Sequence, residues 1–297
     1  MAAPAVAQLP RSAMPFQTFR REVLRRLVRK PLAIAGTMLL VIMIGAAIFA
    51  PFIAPHPPDS QGVADPFEPP SAKHPFGGDQ FGRDNFSRVL YGGRISLQIG
   101  LVAVAIGGTA GLILGCLAGY LSGWVDETVM RFVDIMLAFP GILLAIAVVV
   151  MLGPSLYNLM IAVGVGAIPT FARVIRAAVL EAKERDYVAA ARAIGVTDLM
   201  IVGRHILPNI MAPFIVLATL DVATAILSGT ALSYLGLGAK PPSPEWGLML
   251  SEGRTFIRNA WWVGTFPGLA ITLTVIGINL LGDALRDALD PRLRGTR

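Results

Sequence analysis

Long uncharged runs separated by short charged ones dominate this chain. Leu32–Ala54 runs for 23 residues without a charged side chain, Ile95–Val125 for 31 and Ile135–Ala172 for 38. Ile210–Ala239 carries a single charge, Asp221, and Asn259–Gly282 carries none. A helix of about 20 apolar residues covers the ~30 Å hydrocarbon layer of a bilayer. The 38-residue run is too long for one crossing, and Gly153-Pro154-Ser155 interrupts it with turn chemistry. The pattern predicts six spans, near 32–54, 96–121, 135–152, 156–172, 210–238 and 260–282. The expected fold is an all-α polytopic membrane protein with six transmembrane helices.

Composition supports that class. The chain of 297 residues is 55% hydrophobic and only 15% charged, where soluble domains carry about 25%. A formal net charge of +6 raises the question of nucleic acid. The basic residues instead sit beside the apolar spans and form no stripe interleaved with aromatics, which argues against that partner. Cys116 is the single cysteine, so no disulfide forms within the chain, and it reads as a small buried apolar side chain.

The Lys/Arg placement sets an orientation. With the N-terminus inside, segments 1–31, 122–134, 173–209 and 283–297 are cytoplasmic and hold 7, 1, 6 and 4 Lys/Arg, 18 of the 25. The outer segments 55–94 and 240–258 hold the other 7. Both termini are therefore expected in the cytoplasm, with a tail from 284 to 297. Residues 1–31 are too long and basic for a cleavable signal, so 32–54 is expected to remain as the first anchor. Phe16–Lys30 places Phe16, Phe19, Val23, Leu24 and Leu27 on one helical face and arginines on the other. It reads either as an interfacial helix on an anionic leaflet or as plain cytoplasmic charge. The outer segment 55–94 is rich in Pro, Gly and Asp with no helical period. Contact with a soluble partner and a passive lid are both open for it.

In the second span, Ala103, Gly107, Gly111, Gly115 and Gly119 recur at every fourth residue. Such a stripe lets another helix approach closely, within this chain by preference or on a second membrane subunit. No energy-using chemistry is visible. Gly-Lys occurs nowhere, which excludes a P-loop, and HExxH, CxxC and GxSxG are absent. His56, His74 and His205 are divided between the two sides of the membrane, which argues against a metal cluster. No catalytic residue, metal site or bound cofactor is expected.

The polar island Asp186–Asn209 (DYVAAARAIGVTDLMIVGRHILPN) stands apart from the rest. Asp186 is a good N-cap, Tyr187–Ile194 is helix-forming, and Gly195 is a natural stop. Thr197 or Asp198 caps a second helix expected to run to about Ile206 and to end at Pro208. A two-turn helix is marginal alone in water, so something must pack on it. Small side chains at Ala189, Ala190 and Ala191 let it slide deep into a groove of another protein.

Here the sequence resembles the integral membrane permeases of ABC importers, of the dipeptide/oligopeptide (DppC/OppC) type. The residues that carry the likeness are Asp186-Tyr187-Val188, Ala190-Ala191, Gly195 and Leu207-Pro208, which fit the family's EAA loop. His74–Leu97, Met136–Ile146, Ser233–Leu250 and Phe266–Pro291 resemble it as well, so the likeness covers about 74–291. Two positions depart from the general pattern. Its Glu is Ala189 here, so no salt bridge is assigned there, and its Ile is His205, a residue common in the peptide branch.

The resemblance implies a type I ABC-importer permease fold with its core over 95–283, in the plasma or inner membrane of a prokaryote. It implies a homologous second permease, two ATP-binding subunits that bind ATP and Mg, and an extracytoplasmic substrate-binding protein. Asp186, Tyr187, Ala189, Ala190, Ala191, Gly195, Leu207 and Pro208 would form the ATPase-coupling segment. Cargo would be dipeptides or oligopeptides, with glutathione or nickel chelates as alternatives of the same class.

Asp221 lies about 16 Å into the fifth span at 1.5 Å per residue, and an unpaired carboxylate there costs a few kcal/mol. It reads either as a group of the substrate pathway or as a structural hydrogen-bonding acid. A rival of another class is a secondary transporter driven by an ion gradient, with Asp221 as the coupling acid. No inverted repeat supports that rival. A second rival is a non-transporting membrane scaffold for a peripheral enzyme.

Overall fold

The computed structural model describes residues 30–289. Phe16–Phe19 and the rest of the N-terminal basic segment up to residue 29, like the tail from 290, lie outside the described residues. Among the described residues the chain is helical, with one isolated antiparallel bridge between Gly78 and Asp84. In chain order the helices are α1 (Pro31–Ile48), α2 (Ala50–Ile53), α3 (Asn85–Leu121), α4 (Gly123–Leu137), α5 (Gly141–Leu152), α6 (Leu156–Lys183), α7 (Asp186–Ala193), α8 (Asp198–Ile201), α9 (Leu207–Tyr234), α10 (Trp246–Gly253) and α11 (Trp262–Leu289). A π turn, Val202–Ile206, joins α8 to α9 without a break. Five helical stretches are long and apolar enough to cross a membrane, or six if the bent pair α4–α5 is one span.

α3 and α6 form the tightest helix pair. The glycine stripe of α3 is the reason. A methyl group added at Gly107 would sit 2.6 Å from the Gly164 carbonyl, one at Gly115 would sit 2.7 Å from the Ala172 carbonyl, and one at Gly119 would sit 2.8 Å from Val179 Cβ. Gly111 is pressed against Phe171 in the same seam. The two backbones therefore touch, which is what a small-residue stripe permits in lipid. α9 lies across this pair, and a core of Ile99, Val149, Leu159, Phe171 and Leu232 fills the space between α3, α5, α6 and α9. A second core around Ile226, Trp246, Met249 and Ile271 joins α3, α9, α10 and α11. α1 packs on α11 outside this bundle through Gly36 and Gly277. Lys30 pairs with Asp287 at 2.6 Å, so the start of α1 and the end of α11 lie on the same face of the bundle.

Four expectations are corrected. The span expected over 135–152 is broken at Ala138–Pro140, and α4 and α5 meet at 91°. Pro140 lacks an N–H and disfavours helix at the residue before it, so the chain turns there. α5 alone has 12 residues, or about 18 Å. Second, residues 85–94 are not loop but the first turns of α3. Asp84 caps that helix through the Ser87 N–H at 2.8 Å. Arg88 and Arg94, whose charges suggested a loop, turn onto protein acceptors instead of water. Arg94 donates to the Ala47 and Ile48 carbonyls at 2.7 and 2.6 Å, the exposed C-terminal acceptors of α1.

Third, α6 and α11 outrun the apolar runs 156–172 and 260–282, ending at Lys183 and Leu289. Arg173 and Arg176 stay helical because they pair with Asp134 and Asp126 of α4. Fourth, Pro208 does not end a helix. It lies at the start of α9, and the preceding π turn opens the backbone where a proline ring meets the turn before it.

Outside the bundle, residues 55–84 fold into a compact cap built on buried charge. Asp79 accepts from the Phe81 and Arg83 N–H groups at 2.8 and 2.9 Å and from Arg83 Nε at 2.5 Å. Arg88 Nε lies 3.6 Å from the same carboxylate. Glu252, at the end of α10, meets Arg83 and Arg88 at 3.3 and 3.4 Å. Arg88 also donates to the Pro58 and Pro242 carbonyls. Asp79, Arg83 and Arg88 are each no more than 2% exposed. Two cations and two carboxylates thus neutralise one another and tie the cap to α10.

Candidate functional site

Residues 186–201 form a knob at the end of α6. α7 spans Asp186–Ala193 with Asp186 in its first turn, where a carboxylate meets the positive end of the helix dipole. The helix stops at Gly195, whose φ of +81° suits a residue without a Cβ. The Val196 N–H reaches back to the Ala191 carbonyl and the Gly195 N–H to the Arg192 carbonyl, both at 3.1 Å. These are the two bonds of a Schellman stop. Val188 and Ala191 face inward onto Ile201, Ile206 and Ile210, a small core under the knob.

That packing divides the expected coupling residues. Asp186, Tyr187, Ala189, Ala190 and Gly195 are exposed, and Ala191 is buried beneath them. Leu207 and Pro208 lie apart from the exposed alanine face, at the base where α9 begins. Between Asp186 and Gly195 the exposed face thus carries the Ala189 and Ala190 methyl groups, with Tyr187 and Arg192 beside them. Three large apolar side chains missing from the sequence-derived set stand beside it: Ile194 is 81% exposed, Leu199 85% and Met200 52%. Their signal in the sequence is that they are apolar within a polar island. An exposed apolar patch of this kind marks a contact surface.

The base of the knob is tied down by polar contacts. The Tyr120 hydroxyl, in the last turn of α3, donates to the Asp198 carboxylate. Lys183 donates to the Tyr120 carbonyl at 2.8 Å and to Ser122 Oγ at 2.9 Å. Arg176 grips Asp126 of α4 with two bonds of 2.5 and 2.6 Å. The Tyr120 oxygen beside Arg192 holds that guanidinium above its ordinary pKa.

Asp221 sits half-buried on α9 with no hydrogen-bond or ion-pair partner among the described residues. Its neighbours Leu220 and Val222 touch α11 at Gly282 and α3 at Gly100. On the capped side, Glu245 accepts from the Gly247 and Leu248 N–H groups at 2.8 Å, and burial pushes its carboxyl up against their pull. His56 and His74 stack with centroids 5.9 Å apart, and among the described residues no three His, Cys, Asp or Glu side chains gather to hold a metal.

This arrangement offers contact surface and a membrane bundle, and comparison with known proteins decides what kind. The family model for the binding-protein-dependent transport system inner membrane component matches residues 111–295, and that for the N-terminal TM domain of oligopeptide transport permease C matches 18–70. The chain belongs to this permease family. It is 47% identical over 274 residues to the dipeptide transport system permease protein DppC of Alkalihalophilus pseudofirmus, covering 92% of this chain and 90% of that one. It is 46% identical to the di/tripeptide permease DppC of Pseudomonas aeruginosa, with 88% of each covered. It is 48% identical to the glutathione transport system permease protein GsiD of Escherichia coli, with 92% and 91% covered. Among solved structures, an inward-facing MetNI methionine ABC transporter aligns with a TM-score of 0.53 at 24% identity, covering 66% of this chain and 94% of that chain. The protein is a multi-pass permease subunit of an ABC importer.

Proposed function

We propose that this permease moves dipeptides or oligopeptides inward, powered by two ATP-binding subunits that dock on the knob. Cargo is handed over by an extracytoplasmic binding protein, and a homologous second permease completes the pathway. The chain itself performs no catalysis and binds no cofactor; ATP and Mg belong to the ATPase subunits. In this reading α4–α5 counts as one broken span of six, and the N-terminus, the knob and the end of α11 face the cytoplasm of a prokaryotic cell. The Lys/Arg asymmetry supports that orientation, as does the Lys30–Asp287 pair on one face.

The observation that carries the coupling reading is the exposed alanine face of α7, flanked by Ile194, Leu199 and Met200. This short helix offers small side chains at Ala189 and Ala190 for insertion and has a firm stop behind it at Gly195. ATPase closure would push such knobs together and bias the bundle between two packings. Relatives named for dipeptides and for glutathione support small peptidic cargo as the class. Glutathione is the second reading, favoured by the GsiD likeness. Asp221 is a candidate group of the pathway, because its carboxylate lacks a partner within the described chain.

Replacing Ala190 with Trp tests the knob. The bulky ring holds the helix out of any groove, so ATPase co-purification or ATP-dependent uptake should fall at least tenfold, the effect of about 1.4 kcal/mol. Normal retention together with normal uptake refutes the assignment.

A further inference from the structure

The knob is joined to the membrane helices by two chain connections, by the apolar core that Val188, Ala191 and Ile201 share with Ile175, Val179 and Ile210, and by a lateral hydrogen bond. Upstream, the chain passes from α6 at Lys183 into α7 at Asp186. Downstream, α8 runs into α9 through the π turn Val202–Ile206. Wide turns of this kind are rare and mark places where a helix can yield. The lateral contact is the Tyr120–Asp198 hydrogen bond, which spans 78 residues of sequence. It bypasses the π turn and fastens the start of α8 directly to the end of α3.

The surroundings of Tyr120 are firm. Tyr120 is 8% exposed, and its carbonyl is held by Lys183 of α6. Immediately below, α3 and α6 are locked along the glycine seam, where Gly119 meets Val179 and Gly115 meets Ile175. Arg176 and Asp126 add α4 to the same body. The Asp198 side chain is exposed, and the Tyr120 hydroxyl is its one hydrogen-bond partner among the described residues.

We propose that Tyr120 is a positioning residue that clamps the knob to the inner end of α3. A displacement of the knob then reaches the α3–α6 pair instead of being absorbed in the π turn. The inference rests on the knob being the ATPase contact, and it names the route by which that contact acts. Removing the hydroxyl should leave docking intact and loosen transmission.

The test uses the complete transporter, with both ATPase subunits and the binding protein, in liposomes. ATP hydrolysis and entry of labelled dialanine are measured in the same vesicles. In Tyr120→Phe the ATPase subunits stay bound and basal hydrolysis is unchanged. Dialanine moved per ATP falls about five-fold, the factor carried by one net hydrogen bond. Asp198→Ala falls alike, whereas Asp198→Asn, which still accepts from the hydroxyl, keeps the wild-type ratio. An unchanged ratio in Tyr120→Phe overturns the clamp. Loss of ATPase subunits from that variant overturns it too, because the contact would then be building the docking surface. Failure of the parent reading looks different: Ala190→Trp would keep both ATPase and uptake.

Discussion

Removing the Asp79 carboxylate should cost this protein several kcal/mol of stability. Asp79 is 2% exposed and binds two backbone N–H groups and the Arg83 guanidinium. Arg83 and Arg88 are both 1% exposed, and the second carboxylate of the cluster, Glu252, reaches each of them only at 3.3 to 3.4 Å. In Asp79→Ala two buried cations face one carboxylate, and two N–H groups lose their acceptor. Breaking a buried pair from one side costs about 3–5 kcal/mol, because the abandoned charge cannot return to water. For a chain of this size that is a fall on the order of 10 °C in apparent melting temperature. Asp59→Ala is the control, since Asp59 is exposed and surface substitutions lie within about 0.5 kcal/mol. The assay is thermal unfolding of the purified complex in nanodiscs, with limited proteolysis of the cap as a local readout. If Asp79→Ala melts with Asp59→Ala and its cap is no more readily cut, the cluster is not what holds the cap.

Two further expectations concern the membrane part. In Gly115→Ala the new methyl meets the Ala172 carbonyl at 2.7 Å and Ile175 Cβ at 2.8 Å, so α3 and α6 must part. A loss of about 1–3 kcal/mol follows from overpacking, whereas Gly45→Ala, with nothing within 4 Å, should leave the melting temperature unchanged or higher. Asp221→Asn removes the charge of an unpartnered carboxylate on α9 and should raise KM for a labelled dipeptide at constant expression; identical kinetics would take it out of the pathway.

What the sequence made legible was local or set by the bilayer. The uncharged runs reported the spans because hydrocarbon thickness fixes a length. The stop at Gly195 was readable because a left-handed position needs only the residues beside it. The start of α3 was hidden for the opposite reason. Arg88 is tolerated in a helix because Asp79, Glu252 and the Pro242 carbonyl receive it, and Glu252 and Pro242 lie more than 150 residues away. No periodicity reports such partners. The break before Pro140 was written in the sequence, but a run uniform in apolarity gives no sign that the chain turns by 91° inside it. Ile194, Leu199 and Met200 were passed over because apolar side chains are ordinarily read as core, and only the fold shows that they point away from it.

The two ends of the bundle are stiffened by different means, and the difference bears on how it works. At the capped end, buried ions bind the cap to α3 and α10, and any movement that separates them exposes uncompensated charge. At the opposite end, the knob rests on a small apolar core and the Tyr120–Asp198 bond, and a π turn leads from it into α9. Contacts of that kind cost less to shift than a buried ion cluster, so the knob end is the more compliant of the two. The seam of α3 and α6 lies between the two ends, with the glycines of α3 set directly against α6. α3 is one unbroken helix of 37 residues with Tyr120 in its last turn and Arg88 in its first, so the clamp proposed at Tyr120 would pass a displacement to the cap as a rigid shift. The cap would then shift as a unit rather than unravel, because its buried ion cluster costs more to open than to carry along.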